Sequence, residues 1–390
     1  GNNTYGQLGS TSGGQLPSIV SLPPGKSAIA VSAGTEHTCA VLDSEEVLCW
    51  GRNDVGQLGQ NKTTETTNYS ELPATMPTVY LGGVKAGGIE AGFGLSCAQL
   101  VNTSTLCWGD GRRWQFGSEV KQILGDGRLA HDVSYKQNIA MPELSGGIKN
   151  FTLGTHHSCA IFMDDSLRCW GKGQNGALGN GDEISRGNTL ATLPHALPAI
   201  PLPAGSKPTH VVAGNLYTCI VLDHVSLICW GRNHKGQLGY GNTNTYGLDA
   251  ATMPIANVTV SLPNEGRIKS VHAAANATCV LFEVGSLCCW GSGENGLHGG
   301  GTTANFGTTP LNTPSAIGTV RFPVNRTVIS FAASPSSEHV CALLDTNEVT
   351  CWGSGSFGQL GLGSTENIGD SPARAVMNSL AVQLPAPITS

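Results

Sequence analysis

Six times along this chain the spacing C-x9-C-W-G recurs, pairing Cys39 with Cys49, Cys97 with Cys107, Cys159 with Cys169, Cys219 with Cys229, Cys279 with Cys289 and Cys341 with Cys351, at a period close to sixty residues. A spacing kept without exception assigns each cysteine pair to one repeat unit, and a period of this size describes a unit of several strands. The 390 residues therefore read as an array of one small motif, not as the two or three domains that length alone suggests.

The unit is clearest in Val31-Ser32-Ala33-Gly34-Thr35-Glu36-His37-Thr38-Cys39-Ala40-Val41-Leu42-Asp43, followed by Val47-Leu48-Cys49-Trp50-Gly51-Arg52-Asn53-Asp54-Val55-Gly56-Gln57-Leu58-Gly59. Short apolar runs punctuated by Gly and Asp are strands and turns. Opposing Cys39 to Cys49 in an antiparallel hairpin pairs Val41 with Val47 and leaves a three-residue loop, Asp43 to Glu45, a favoured hairpin length. Directly opposed residues stand roughly 4.5 to 5.5 Å apart at Cα, within the span a disulfide needs. Six equivalent intra-hairpin disulfides are expected. The spacing suits no structural zinc site, which wants C-x2-C or C-x4-C pairs with a second pair nearby. Reduced core cysteines do not explain why twelve of thirteen fall into equal pairs. The thirteenth, Cys288, adjoins Cys289 and so points to the opposite strand face, where it is expected to pack as a small hydrophobe with a free thiol.

Six disulfides predict an oxidising compartment, either the cell exterior or the secretory lumen. N-glycosylation sequons at Asn2, Asn61, Asn68, Asn102, Asn150, Asn257, Asn276 and Asn325 agree and point to a eukaryotic source. Asn61 and Asn68 fall in a polar inter-repeat loop and Asn102 at a hairpin tip, whereas Asn150 and Asn276 fall nearer strand ends. No apolar run of about twenty residues is present to span a membrane. Gly1 to Gly9 already align with Gly51 to Gly59, so no signal peptide is visible and the chain reads as a mature or trimmed product. Charged residues make up 12% and the formal net charge is −6, which supplies no electrostatic footprint for nucleic acid. Arg112, Arg113 and Trp114 form the one notable basic-aromatic cluster, and three such residues in a loop read as solvated surface.

The combination of V-S-A-G-x-x-H-T with C-W-G-x-N-x-x-G-Q-L-G, carried over essentially the whole chain, resembles the regulator of chromosome condensation (RCC1) repeat family in its secreted, disulfide-containing form. Some copies depart from it, with Trp114-Gln115-Phe116-Gly117 and Asn295-Gly296-Leu297-His298-Gly299 standing in for G-Q-L-G. The resemblance implies an all-β RCC1-type β-propeller, usually seven-bladed, each blade a four-stranded antiparallel sheet. Short strands with glycine-rich turns suit such radial closure. One propeller domain over 1–390 divides into repeats at about 1–27 (partial), 28–82, 83–146, 147–206, 207–265, 266–325 and 326–390. Within a blade the inner strand is the small-residue stretch such as 30–34, the next two form the cysteine hairpin, and the fourth is the proline-flanked stretch such as 75–81. Trp50, Trp108, Trp170, Trp230, Trp290 and Trp352 recur at one position and are expected to pack between blades, not to form a ligand platform. Gly51, Gly56 and Gly59 are expected to permit positive φ or close backbone approach. Six full blades are present with fourth-strand segments at both ends, 16–22 and 381–388. A seventh blade needs one more inner strand and cysteine hairpin ending in C-W just before Gly1, supplied from upstream, from downstream of Ser390 or by another molecule, and the rival is a complete six-bladed ring with one redundant terminal strand. The open sheet edge of an incomplete blade invites strand addition, by the remaining polypeptide or by a neighbouring subunit.

Cues to catalysis are absent: no G-x-S-x-G elbow, no H-E-x-x-H pair, no acidic cluster outside the framework. His37, His157 and His339 recur two residues before the first cysteine, where Leu95, Tyr217 and Ala277 also stand, and read as strand-end hydrogen bonders. No cofactor and no metal site are expected, and no functional residue carries over from the nuclear nucleotide-exchange protein of the resembled family. The expected function is that of a secreted, disulfide-stapled, N-glycosylated scaffold. It would bind a protein partner through the loops at 60–74, 118–147, 180–198, 240–253, 300–318 and 362–371, as secreted members such as a bacterial β-lactamase inhibitor and plant receptor ectodomains do. The alternative is a structural subunit of an extracellular coat or filament, with identical subunits joined through the incomplete blade. A carbohydrate-binding propeller is a third reading, resting on the scattered loop aromatics Tyr69, Trp114, Tyr135, Tyr240, Tyr246 and Phe306.

Overall fold

A computed structural model describes residues 1–10, 13–60, 72–112, 123–124, 139–140, 147–254, 258–323 and 326–385. Six units of antiparallel strands follow one another. They are β1 (Ala28–Ala33), β2 (His37–Leu42) and β3 (Val47–Gly51); β4 (Ala86–Ala91), β5 (Leu95–Leu100) and β6 (Thr105–Asp110), with the short β7 (Ile123–Leu124) and β8 (Ile139–Ala140) added to β6; β9 (Ile148–Leu153), β10 (His157–Phe162) and β11 (Leu167–Gly171); β12 (Pro208–Ala213), β13 (Tyr217–Leu222) and β14 (Ser226–Gly231); β15 (Ile268–Ala274), β16 (Ala277–Phe282) and β17 (Leu287–Gly291); and β18 (Val328–Ala333), β19 (His339–Leu344) and β20 (Val349–Gly353). The architecture is that of an all-β propeller, with each small-residue strand innermost.

Every cysteine hairpin keeps one register. Cys39 opposes Cys49 and Val41 opposes Val47, as the spacing predicts. The same opposition joins Cys97 to Cys107, Cys159 to Cys169, Cys219 to Cys229, Cys279 to Cys289 and Cys341 to Cys351. All six pairs are disulfides, closed at Cα separations of 4.0 to 4.1 Å, slightly tighter than opposed strands require. The three-residue loops end on a residue in the left-handed region, Glu45, Thr103, Asp165, Gly285 or Asn347. The fourth hairpin departs from this rule: Asp223 and His224 have positive φ and its last loop residue, Val225, does not, although the Val225 amide donates to the Leu222 carbonyl at 3.0 Å as the equivalent residues do elsewhere. Thr103, at φ 70°, is the least suited of these residues, because a β-branched side chain meets the backbone there. Thr103→Gly should raise stability by about 0.5 to 1 kcal/mol, read as an increased urea midpoint at constant m-value.

The fourth position of the blade is sparser than a strand ladder. The extended segment touches the third strand through one hydrogen bond in five units: Val79 to Val47, Ile200 to Leu167, Val260 to Leu227, Val320 to Leu287 and Val382 to Val349, at 2.7 to 2.8 Å. In the second unit β8 takes this place, with Ile139 opposite Cys107. Proline contributes to the sparseness in the first and third units. Pro73 opens a one-turn 3-10 helix, and Pro77 and Pro201 stand beside the bonding residues, so neighbouring ladder donors are missing. Residues 386–388 of the expected last strand lie outside the described residues.

The core lies in the seams between units. Val212 and Tyr217 of the fourth unit share one apolar cluster with Val271, Val280 and Trp290 of the fifth. Cys288 is buried with its thiol directed at the Gly318 carbonyl, 3.1 Å away, and burial raises its pKa above the ordinary thiol range.

Candidate interaction face

Five seams among the described residues are built on one main-chain carbonyl in the G-Q-L-G segment of the preceding unit. Trp50 Nε1 donates to Gln7 O, Trp108 to Gln57, Trp230 to Ala177, Trp290 to Gln237 and Trp352 to Leu297, at 2.9 to 3.1 Å. The hydroxyl one residue before the first cysteine donates to the same oxygen: Thr38 to Gln7, Ser96 to Gln57, Thr218 to Ala177 and Thr278 to Gln237. Both lone pairs of a buried carbonyl are thereby satisfied. This doubly bonded carbonyl was not legible as a contact, although the invariant Trp and the Thr or Ser before each first cysteine of these units were in plain view.

The recurrent histidines belong to this network. His37 Nε2 lies 2.8 Å from Ser96 Oγ, and His157 Nε2 lies 2.7 Å from Thr218 Oγ1. Each hydroxyl already donates to a carbonyl, so it accepts from the imidazole, which fixes the Nε2–H tautomer. Tyr217 fills the same place in the fourth unit, donating to the Ala277 carbonyl with its oxygen 3.1 Å from the Thr278 hydroxyl. Burial holds His37 down at about 4 and His157 at about 3. A His–Ser pair resembles a nucleophile and its base, but these pairs are wholly buried and their hydroxyls are committed to carbonyls, so they hold units together. Among the described residues no group of three or more His, Cys, Asp or Glu is placed to hold a metal ion.

The long loops that follow G-Q-L-G are ordered by a second repeated device. In four units the glycine ending the third strand exchanges two backbone bonds with its own loop: Gly171 with Arg186, Gly231 with Tyr246, Gly291 with Phe306 and Gly353 with Ile368. The next loop residue is a glycine that packs on the preceding unit, Gly247 on Gly176, Gly307 on Gly236 and Gly369 on Gly296. Gly236 has φ +79°, and a methyl there would collide with the Phe306 carbonyl, so only glycine fits. The loops therefore overlap around one end of the ring, the end that also carries the turns joining each first strand to its second. Their outer positions differ in chemistry: Ile184 and Leu311 are exposed, the latter 90%, among Asn, Thr and Asp side chains.

The aromatic residues proposed for a sugar site are placed otherwise. Tyr240 OH bonds the backbone of Cys229 and Val258, its ring packs 4.7 Å from that of Tyr246, and Phe306 stacks on His298 at 4.1 Å. Tyr69, Trp114 and Tyr135 lie outside the described residues, as does Arg113. Arg112 forms a bidentate pair with Asp110 at 2.8 and 2.9 Å.

The sequons divide in the same way. Asn2 and Asn102 are exposed, and each accepts a hydrogen bond from the hydroxyl of its own sequon, Thr4 or Ser104, at 2.6 Å. Asn150 is half-buried on β9 and caps the Val211 amide of the next unit at 3.1 Å, while Asn276 is half-buried with a buried Oδ1 that lacks a partner. Asn61, Asn68, Asn257 and Asn325 lie outside the described residues.

Comparison with known proteins gives consistent matches. Two models of the regulator of chromosome condensation (RCC1) repeat match, one at 28–57 and 328–359, the other at 1–41, 164–221 and 226–281. Among curated relatives, the ultraviolet-B receptor UVR8 of Arabidopsis thaliana is 28% identical over 368 residues, 94% of this chain and 74% of that protein. The human E3 ubiquitin-protein ligase HERC2 is 23% identical over 369 residues, 94% of this chain but 7% of that protein. Human WBSCR16 superposes with a TM-score of 0.68 at 17% identity, covering 93% of this chain and 83% of that one. Yeast RCC1 (Prp20), solved with Kap60, superposes at 0.67 and 19% identity, covering 98% and 82%. At these identities the solved structures bear on the fold alone.

Proposed function

Because this chain belongs to the RCC1-repeat family, we propose that it is a non-catalytic scaffold that binds a protein partner through the overlapping loops at one end of the ring. The single observation that carries this reading is the division of labour along each repeat. Tryptophan, histidine, hydroxyl and glycine positions are used internally in unit after unit, and variation collects on the outer positions of loops held by two fixed backbone bonds. A rigid frame presenting varied loops is the usual arrangement for recognition. Solved relatives recorded with protein partners, such as yeast Prp20 with Kap60, accord with it.

Six disulfides support a secreted protein, since such bridges persist in oxidising compartments, and the exposed Asn2 and Asn102 are the sites we expect to carry glycans. On this reading Ile184→Asp and Leu311→Asp should weaken a partner captured from the native source at least tenfold. Val284→Asp, a change on an exposed hairpin tip at the opposite end, should leave it unaffected. Equal loss from both ends would overturn the loop-face reading. Native mass by light scattering separates this scaffold, a discrete particle, from a filament subunit, a polymer.

A further inference from the structure

The residue after each third-strand glycine has a fixed neighbour at the loop end of the ring. Its amide donates to the carbonyl of the residue just before the second strand: Arg52 to Glu36, Lys172 to His156, Arg232 to Leu216, Ser292 to Asn276 and Ser354 to Glu338, at 2.8 to 2.9 Å. In the first unit the side chains pair as well, because Arg52 is bonded to Glu36 and, at 2.6 Å, to Asp54 two residues on. The third and fourth units keep the cation and change both partners. Lys172 stands beside His156 and is followed by Gln174, while Arg232 stands beside Leu216 and is followed by His234 and Lys235.

Among the described residues the side chains of Lys172, Arg232 and Lys235 have no carboxylate partner, although all three are only half-buried and His234 between the last two is exposed. Partial burial, and then the charges of Arg232 and Lys235, hold His234 below the ordinary imidazole pKa, as follows where cations gather without a counter-charge. The carboxylates on the loops of these two units are engaged within them: Asp182 by Arg186 at 2.7 Å, Glu183 by the Asn175 amide at 2.7 Å and Asp249 by the Thr252 hydroxyl at 2.8 Å. The next two units reverse the sign. Ser292 and Ser354 replace the cation, whereas Glu294 and Glu338 remain, the latter accepting from the Asn295 side chain at 3.1 Å. In a chain of formal net charge −6, one face thus carries a positive arc over its third and fourth units beside a negative arc over its fifth and sixth.

We propose that the arc of Lys172, Arg232 and Lys235 seats a carboxylate-rich segment of the protein partner. This rests on the loop-face reading and names the chemistry of what that face binds. Cations left unpaired at a surface steer and orient a complementary chain. The Arg232 guanidinium offers a planar fork that matches a carboxylate, and the two lysines offer point charges on either side of it in sequence. A long polyanion suits the face poorly, because Glu294 and Glu338 repel its continuation. A protein segment can change sign over the same distance.

The probe is a short synthetic peptide alternating Glu and Gly, added to the oxidised full chain at low ionic strength and coupled with a carbodiimide, which joins carboxylates to nearby lysine amines. Peptide mapping should find the adducts on Lys172 and Lys235, in preference to Lys26, Lys85, Lys149 and Lys207, whose neighbours Glu46, Ser44, Asp165 and Asp223 lie at the hairpin tips of the other end. Binding followed by fluorescence anisotropy should weaken at least about tenfold in Arg232→Glu with Lys235→Glu, and also on raising salt from about 20 to about 200 mM. Arg232→Gln with Lys235→Gln removes the charge without adding repulsion; it should keep the parent Tm and weaken binding less. Adducts spread evenly over both ends, or charge reversal without effect, overturns the proposal. Heparin that binds through Arg232 and Lys235 where the peptide does not overturns it in favour of a sulfated polysaccharide, and a parent dimer that the charge-reversed variant dissociates assigns the surface to a second copy. A natural partner lost on Ile184→Asp and Leu311→Asp but kept on charge reversal removes this proposal and leaves the loop-face reading standing. A partner kept by all of these variants removes the loop-face reading and this proposal with it.

Discussion

Keeping the cysteines reduced should prevent this protein from holding its fold, and removing one bridge should be felt as a loss of about 2 to 4 kcal/mol. Each disulfide closes a loop of about eleven residues, for which the chain-entropy model gives roughly 2.7 kcal/mol. Six such terms together exceed the 5 to 15 kcal/mol by which a typical domain is stable. The bridged cysteines at the centre of the array, Cys219 and Cys229, are 0 and 2% exposed, so a reductant acts only on opened molecules. Protein unfolded in urea with excess dithiol should fail to regain native near-ultraviolet dichroism on dilution, whereas oxidised protein should regain it. The double variant Cys219→Ser with Cys229→Ser should lower the urea midpoint at constant m-value. A reduced protein that refolds to the same Tm would show that the pairs act as packing alone.

Much of this fold was legible because repetition converts a weak local signal into a register. The opposition of Cys39 to Cys49, the loop at Asp43 to Glu45 and the inner strand near Ala30 are all read from one period and one spacing. Trp50 and its five equivalents could be assigned to seams because they recur without variation. What stayed hidden was contact across the period. His37 and Ser96 lie 59 residues apart, and nothing in either repeat marks them as partners, since Leu95 and Ala277 stand where histidine might and no hydrogen bond is made there. The fourth strand was overread, because alternating apolar residues such as Thr78 to Leu81 suggest a ladder that flanking prolines prevent. The left-handed pair Asp223 and His224 was also not legible, as neither residue is the glycine that positive φ favours. Of the candidate face, the loops could be located but not their anchoring, which is backbone bonding that leaves no side-chain signature.

Acid should destabilise the ring well before its carboxylates would, by several kcal/mol between pH 7 and pH 4. His37 and His157 are held at about 4 and about 3, mainly because burial penalises the charged ring, and His156 adds repulsion at His157. In the unfolded chain both imidazoles titrate near 6.5. Between these values the unfolded state binds more protons than the folded one, so stability rises with pH. Their contribution is complete above about pH 6.5 and is lost as the pH falls toward the folded values, on the order of 3 kcal/mol for each. Geometry explains why the folded state resists the proton. In His157 Nε2–H is already given to Thr218, and Nδ1 is buried with no acceptor to receive a second hydrogen. Glu90 runs the other way: burial raises its carboxyl to about 7, which favours the fold in acid. Glu90 nevertheless retains exposed surface, so solvent reaches its charge and its offset is the smaller effect. Urea midpoints measured at pH 7, 5.5 and 4 should therefore fall progressively. His157→Gln should be less stable than the parent at pH 7, yet lose less on going to pH 4. A parent whose midpoint is flat over that range, or a variant that keeps the full acid loss, would remove the seam histidines as the cause.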